Sequence, residues 1–253
     1  MTVARVERSE TRGRRRGSDN HPGFALLNPG YNLRMTAPET ITLAFTGASG
    51  MPYGLRLLEC LLHADRRVFL LYSPAAQIVA KQECGLTLPA QPREATRFFT
   101  ERYGAKDGQL AVYGREDWMA PVASGSNPAD AMAICPCTMG TLAAIAHGLA
   151  DNLIERAADV MLKERRPLVL VPRETPLSVI HLENMLALAR AGAVIVPPAP
   201  GFYARPQAIA ELVDFVVARV LDQLRVPHAL GPRWGDDRVP AVPAVPAAGT
   251  RSA

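Results

Sequence analysis

The chain has 253 residues, 48% of them hydrophobic and 21% charged, which suits one α/β domain of about 200 residues with short extensions. Its net charge of +4 is confined to the start, where seven arginines (Arg5, Arg8, Arg12, Arg14, Arg15, Arg16 and Arg34) meet only Glu7, Glu10 and Asp19. That leaves 21 basic and 21 acidic side chains for the rest. A neutral fold lacks the basic footprint of a nucleic-acid partner, and no stretch approaches the ~20 apolar residues of a membrane span.

The Arg-rich start mixes in acidic residues and has no apolar segment, unlike a targeting peptide. Residues 1–38 therefore read as a disordered extension, or translation begins at Met35. Cys60, Cys84, Cys135 and Cys137 accompany no signal segment, so reduced thiols and a cytoplasmic location are expected.

Order begins at Ile41-Thr-Leu-Ala-Phe45, an apolar, β-leaning run that ends in Thr46-Gly-Ala-Ser-Gly50, the punctuation of a strand-to-helix turn. Leu55, Leu58 and Leu62 follow at helical spacing. Val68–Leu71 reads as a strand and Ala75–Cys84 as a helix. The stretch 85–114 is irregular and polar, with helix expected around 93–101. Alternation then resumes: strand Ala131–Cys135, helices 139–147 and 153–162, strand Leu168–Val171, helix His181–Arg190 and strand Val194–Val196. Ile209, Leu212, Val213, Val216, Val217, Val220, Leu221 and Leu224 form a full apolar stripe, predicting a helix over 209–224. Five prolines from Pro227 to Pro246 make 227–253 a loose tail.

Strands alternating with helices imply parallel pairing by right-handed crossovers, hence a doubly wound, mostly parallel α/β sheet with helices on both faces. Ligands in such sheets sit beyond the carboxyl ends of the strands. Along that rim fall Thr46–Gly50, Cys135-Pro-Cys-Thr-Met139, Pro172-Arg-Glu-Thr175 and 197–203. The small residues of the first turn let a backbone approach a ligand, and the free N–H groups of a helix start favour an anion. The spacing is not that of a dinucleotide fingerprint. Cys135-Pro-Cys137 has no second Cys/His pair at zinc-finger spacing, so no metal is expected and the thiols read as small turn residues. Arg173 and Glu174 stand at the end of a buried strand, where charges face the rim. The histidines match no hydrolytic pattern.

Taken together these segments resemble the UbiX-type flavin prenyltransferases, from about Ile41 to Trp234. The resemblance is carried by Thr46–Gly50, Ser124-Gly-Ser126, Cys135–Met139, Leu142–Leu153, Arg156-Ala-Ala-Asp159, Leu162–Arg166, Leu168-Val-Leu-Val-Pro-Arg-Glu-Thr-Pro-Leu177, His181–Met185 and Phe202-Tyr203. It implies a Rossmann or flavodoxin-like domain over 39–226 that adds a dimethylallyl group to reduced FMN. It also implies a homo-oligomer, by analogy a dodecamer, and a UbiD-like decarboxylase as recipient of the product. Residue by residue, the FMN-binding set falls on Gly47, Ala48, Ser49, Ser73, Thr138, Met139 and Arg156. The set for dimethylallyl phosphate falls on Lys163, Arg173, Glu174, Tyr203 and Arg219, with Trp234 in an active-site segment of the tail. Ser49, Glu83, Lys163, Glu174 and Tyr203 carry the implied catalytic roles.

These residue types suit that chemistry. Breaking an allylic C–O bond releases phosphate, which Lys163, Arg173 and Arg219 can stabilise in a dry pocket. Tyr203, Trp118 and Trp234 can shield an allyl cation, and Glu174, with Ser49 or the departing phosphate, is the natural acid/base. Gly201 and Gly140 depart from the commoner residues of the family, the first a harmless change and the second leaving contacts at its turn less defined. The rival reading is an FMN-dependent oxidative decarboxylase of a cysteine-ended substrate. That enzyme places a histidine eight residues before an Ala-Asp pair; here Ala129-Asp130 is preceded at that distance by Val122.

Overall fold

The computed structural model describes residues 39–235; the Arg-rich extension and the end of the Pro-rich tail lie outside them. Six strands pair in parallel in the order β3-β2-β1-β4-β5-β6. In chain order they are β1 (Thr40–Phe45), β2 (Arg67–Tyr72), β3 (Leu110–Val112), β4 (Ala131–Cys137), β5 (Leu168–Pro172) and β6 (Val194–Ile195). The helices are α1 (Met51–His63), α2 (Pro74–Cys84), α3 (Pro92–Tyr103), α4 (Met139–Ala146), α5 (Leu153–Lys163), α6 (Val179–Arg190) and α7 (Ile209–Leu224). The chain builds outward from β1 to β3 and returns to place β4 on the other side of β1. The β1/β4 boundary is therefore the topological switch point, where such sheets open a crevice for ligands.

Both faces of the sheet are covered, so the strands are apolar throughout and alternate between two cores. Ile41, Leu43, Phe45, Val68, Leu70, Val169 and Val171 join the side chains of α1 and α7 in one. Ala44, Phe69, Leu71, Leu168 and Leu170 join those of α4 and α5 in the other.

Two expectations change. Within 85–114 the helix expected around 93–101 is present as α3, closed by Gly104 in the left-handed region, but the stretch also holds the edge strand β3, which was not expected. β3 has only three residues, too few for an alternation to register. β4 runs two residues further than Cys135, through Pro136 to Cys137, with a break in its pairing to β5 between Ile134 and Cys137. That break puts Cys135 and Cys137 in different cores although they are two apart. Burial pushes the Cys137 thiol up to about 12 and raises that of Cys135 as well, so both stay protonated and face opposite ways.

α1 lies close on β4 because Gly54 has no side chain. A Cβ there would run into the Cys135 carbonyl oxygen and come within 2.9 Å of the Phe45 ring. Gly54→Ala is thus expected to lower stability by about 1–3 kcal/mol despite its better helix propensity, read as a fall in the denaturant midpoint. An unchanged midpoint would show that α1 slides freely on the sheet.

Candidate active site

Thr46 ties the switch point together. Its backbone N–H and its hydroxyl both donate to the Pro136 carbonyl, at 3.1 and 2.8 Å, and the hydroxyl oxygen accepts from the Thr138 N–H at 2.8 Å. One buried hydroxyl thus fixes the end of β1 against the end of β4, and with it the two turns that leave them.

The first turn, Gly47-Ala-Ser-Gly50, is held from two sides. Ala48 is buried and Ser49 exposed, so the serine faces outward. Gly50 adopts a φ of 114°, in the left-handed region that glycine tolerates. Gly47 packs on Ala75 so closely that a Cβ would collide with the Ala75 side chain. The free N–H groups expected to hold an external anion are partly taken: the Glu83 carboxylate accepts from Gly50 N–H at 2.9 Å and Met51 N–H at 2.8 Å. Glu83 therefore supplies the negative charge that a helix start favours, and it fixes the turn. Arg173 approaches from β5, its Nε donating to the Ser49 carbonyl at 3.2 Å.

The second turn starts α4. The Thr138 hydroxyl caps it, accepting from Thr141 N–H at 3.1 Å and donating to the Thr141 hydroxyl at 2.9 Å. Ser73 caps α2 in the same way, through Ala76 N–H. Its N–H donates to the Phe45 carbonyl, which brings it beside the end of β1. Met139 is buried and Gly140 has open space around it. In the turn after β5, Glu174 is exposed, and one of its oxygens accepts from the Thr175 N–H at 3.1 Å.

The other expected residues fall in two further groups. On α5, Arg156 donates to the Ala123 carbonyl at 2.9 Å and pairs with Asp159 at 2.6 Å, while Lys163 pairs with Glu164 against Gly125. Beside α7, which packs on the opposite face of the sheet from α5, Tyr203 stands edge-on to Phe215 and Trp234, with ring centroids 5.7 and 4.9 Å away. Tyr203 and Arg219 line a cavity of about 210 Å³ between α7, the 201–206 loop and residues 230–232. Gly201 closes that loop on Phe215, whose ring would lie 2.7 Å from an added Cβ. The change called harmless from sequence is therefore matched to a particular neighbour. Among the described residues, no hydrogen bond, ion pair or ring contact joins the three groups within one chain.

Sequence reasoning passed over Thr46 as a linking residue, Thr141 as the partner of Thr138, and Asp222 as the partner of Arg219. Only a hydroxyl directly after a strand, as Thr46 is after β1, gave a local signal.

The chain matches the family model described as Flavoprotein over residues 30–221. It is 60% identical over 205 residues to the flavin prenyltransferase UbiX of Pseudomonas aeruginosa, covering 81% of this chain and 98% of that one. It is 46% identical to the flavin prenyltransferase UbiX of Halalkalibacterium halodurans over 78% and 94% of the two chains. Among solved structures it superposes on AnUbiX (PadA1) in complex with FMN and dimethylallyl pyrophosphate. The TM-score is 0.69 and the identity 43%, over 78% of this chain and 97% of that one. A dodecameric FMN-dependent UbiX-like decarboxylase from Escherichia coli O157:H7 matches with TM-score 0.68 at 42% identity, over 77% and 98%.

Proposed function

The chain belongs to the UbiX-type flavin prenyltransferases of the flavoprotein family, and from that premise we infer that it transfers a dimethylallyl group from dimethylallyl phosphate to reduced FMN. The observation that carries the reading is the 60% identity that spans nearly the whole of a flavin prenyltransferase. The switch point supports it, since ligands of such sheets sit beyond the strand ends there and a small-residue turn lets its backbone approach one.

In this reading Gly47, Ala48, Ser49, Ser73, Thr138, Met139 and Arg156 hold FMN. Glu83 and Thr46 keep the turns open around it. Lys163, Arg173 and Arg219 hold the phosphate of the donor and take up the charge that develops as the C–O bond breaks. Arg173 suits this role because, among the described residues, its guanidinium is engaged through Nε alone, which leaves its other donors for the rim. Tyr203 and Trp234 offer ring faces to the prenyl group. Glu174 has one oxygen fixed by its own turn and the other available for proton transfer.

The rival oxidative decarboxylase needs a histidine where this chain has Val122, fully buried in a short 3-10 helix over Pro121–Ala123. Nothing in that position can act as a base. The product would serve a UbiD-like decarboxylase, in the cytoplasm; among the described residues no helix is long and apolar enough to cross a membrane.

Assembly follows from the same reading. Leu177, Val179, Ile180, Leu182 and Leu186 are exposed on and before α6, which buries only Asn184 and Leu188. An apolar face of that extent calls for a partner, and a second copy of the chain is the partner that the homo-oligomer reading supplies. Replacing Leu182 and Leu186 with aspartate is expected to reduce the assembly to smaller species, read as molar mass by light scattering; an unchanged mass would place the contacts elsewhere. The activity itself is tested by phosphate release from dimethylallyl phosphate. Release should require reduced FMN and match the FMN consumed, and release independent of flavin would contradict the reading.

A further inference from the structure

Asp222 lies in the last turn of α7, where the helix exposes its negative end and a carboxylate is locally unfavourable. It is nevertheless surrounded by cations and donors from three directions. Arg219, one turn back, reaches it at 2.8 Å. Arg233 reaches it at 3.5 Å and His228 Nε2 at 3.0 Å, both from the segment after the helix. His228 Nδ1 accepts from the Leu230 N–H at 3.2 Å, so the ring proton sits on Nε2 and is donated to Asp222. The His228 side chain is only 6% exposed, which makes it an anchor rather than a surface contact.

These partners are not scattered. Arg219 lines the 210 Å³ cavity from the helix side, and Leu230, Gly231 and Pro232 line it from the segment side. Beyond Arg233, Trp234 meets the edge of Tyr203, also a lining residue. One carboxylate therefore holds both walls of the cavity at the point where they converge.

We propose that Asp222 is a positioning residue that aims Arg219 into the donor cavity and latches residues 228–234, so that Trp234 closes on Tyr203. This rests on the assignment of Arg219, Tyr203 and Trp234 to the prenyl donor. It adds a coupling: donor binding and closure of the segment depend on the same side chain, whereas FMN is held elsewhere, at the switch point.

The test uses the full chain. With reduced FMN saturating, Asp222→Asn is expected to raise the KM for dimethylallyl phosphate at least ~10-fold while FMN affinity changes less than ~2-fold. Because Asp222 acts partly through Arg219 and partly through the segment 228–234, the double variant Asp222→Asn/Arg219→Gln should lose less than the two single losses combined, yet more than Arg219→Gln alone. In a Trp118→Phe background, Trp234 is the sole tryptophan; its indole is 81% exposed and held by its ring contact with Tyr203, so both Asp222→Asn and Arg233→Gln should free it and lower the anisotropy of its emission. An unchanged KM, additive effects in the double variant, or parallel losses of FMN and donor binding would overturn the proposal. If Asp222→Asn does not fold, Arg233→Gln decides alone: an unchanged Trp234 anisotropy with unchanged KM refutes the latch. A wild-type chain without turnover would refute the functional reading instead, and the anisotropy of the two variants would still decide whether the latch exists.

Discussion

Glu174→Gln is expected to form prenylated flavin at least ~100-fold more slowly while still binding FMN and the donor. The substitution keeps the size of the side chain and the oxygen that can accept from Thr175 N–H. It removes the charge and the capacity to carry a proton. Loss of a general acid/base typically costs ~10²–10⁴-fold in rate, whereas loss of uniform binding raises KM alone. Glu174 also follows Arg173, whose Nε is tied to the Ser49 carbonyl, so the strand end should keep its geometry in the variant. Single-turnover rates with bound FMN separate the two effects. A variant with near-normal turnover would move the proton-transfer role to Ser49 or the departing phosphate.

Gly47→Val is expected to weaken FMN binding by about 10- to 100-fold. The added Cβ collides with Ala75, at the start of α2, and neither backbone can retreat far. The turn is pinned by Glu83 at Gly50 and Met51, and α2 by its Ser73 cap. Forcing such a contact costs about 1–3 kcal/mol, and that displacement falls on the surface proposed to receive the flavin, where each 1.4 kcal/mol is tenfold in affinity. Gly140→Ala is the matched control. It also stands close after a strand, in the first turn of α4, but an added methyl meets nothing within 4 Å, so FMN titration should give an unchanged affinity. If Gly47→Val binds FMN normally, the flavin does not sit on this turn.

The parts of the fold legible in the sequence were those with a period of their own. The stripe from Ile209 to Leu224 marks α7 to the residue, and the buried runs of β1, β2 and β5 stand out because strands covered on both faces are apolar throughout. What escaped was set by neighbours. Leu110–Val112 is a strand only because Val68, Phe69 and Leu70 pair with it. β4 continues through a proline because the end of the strand is held by Thr46, some ninety residues earlier in the chain. The site divides in the same way. Gly47, Ser49, Thr138, Arg173 and Glu174 stand at strand ends, so the alternation of elements places them on the rim. Glu83 and Asp222 look like ordinary charges on helix surfaces. Their partners, Gly50 and Met51 for one, and His228 and Arg233 for the other, are met only once the helices pack and the chain turns back.

The measurement that bears most directly on the account is the mass of the flavin. Purified full-length protein is incubated anaerobically with reduced FMN and dimethylallyl phosphate, and the flavin is released and weighed. The expected product is a flavin heavier than FMN by one five-carbon prenyl unit, formed only when protein and donor are both present and at least ~100-fold more slowly by Glu174→Gln. Recovery of unmodified FMN beside intact donor, from protein that binds both, would contradict it.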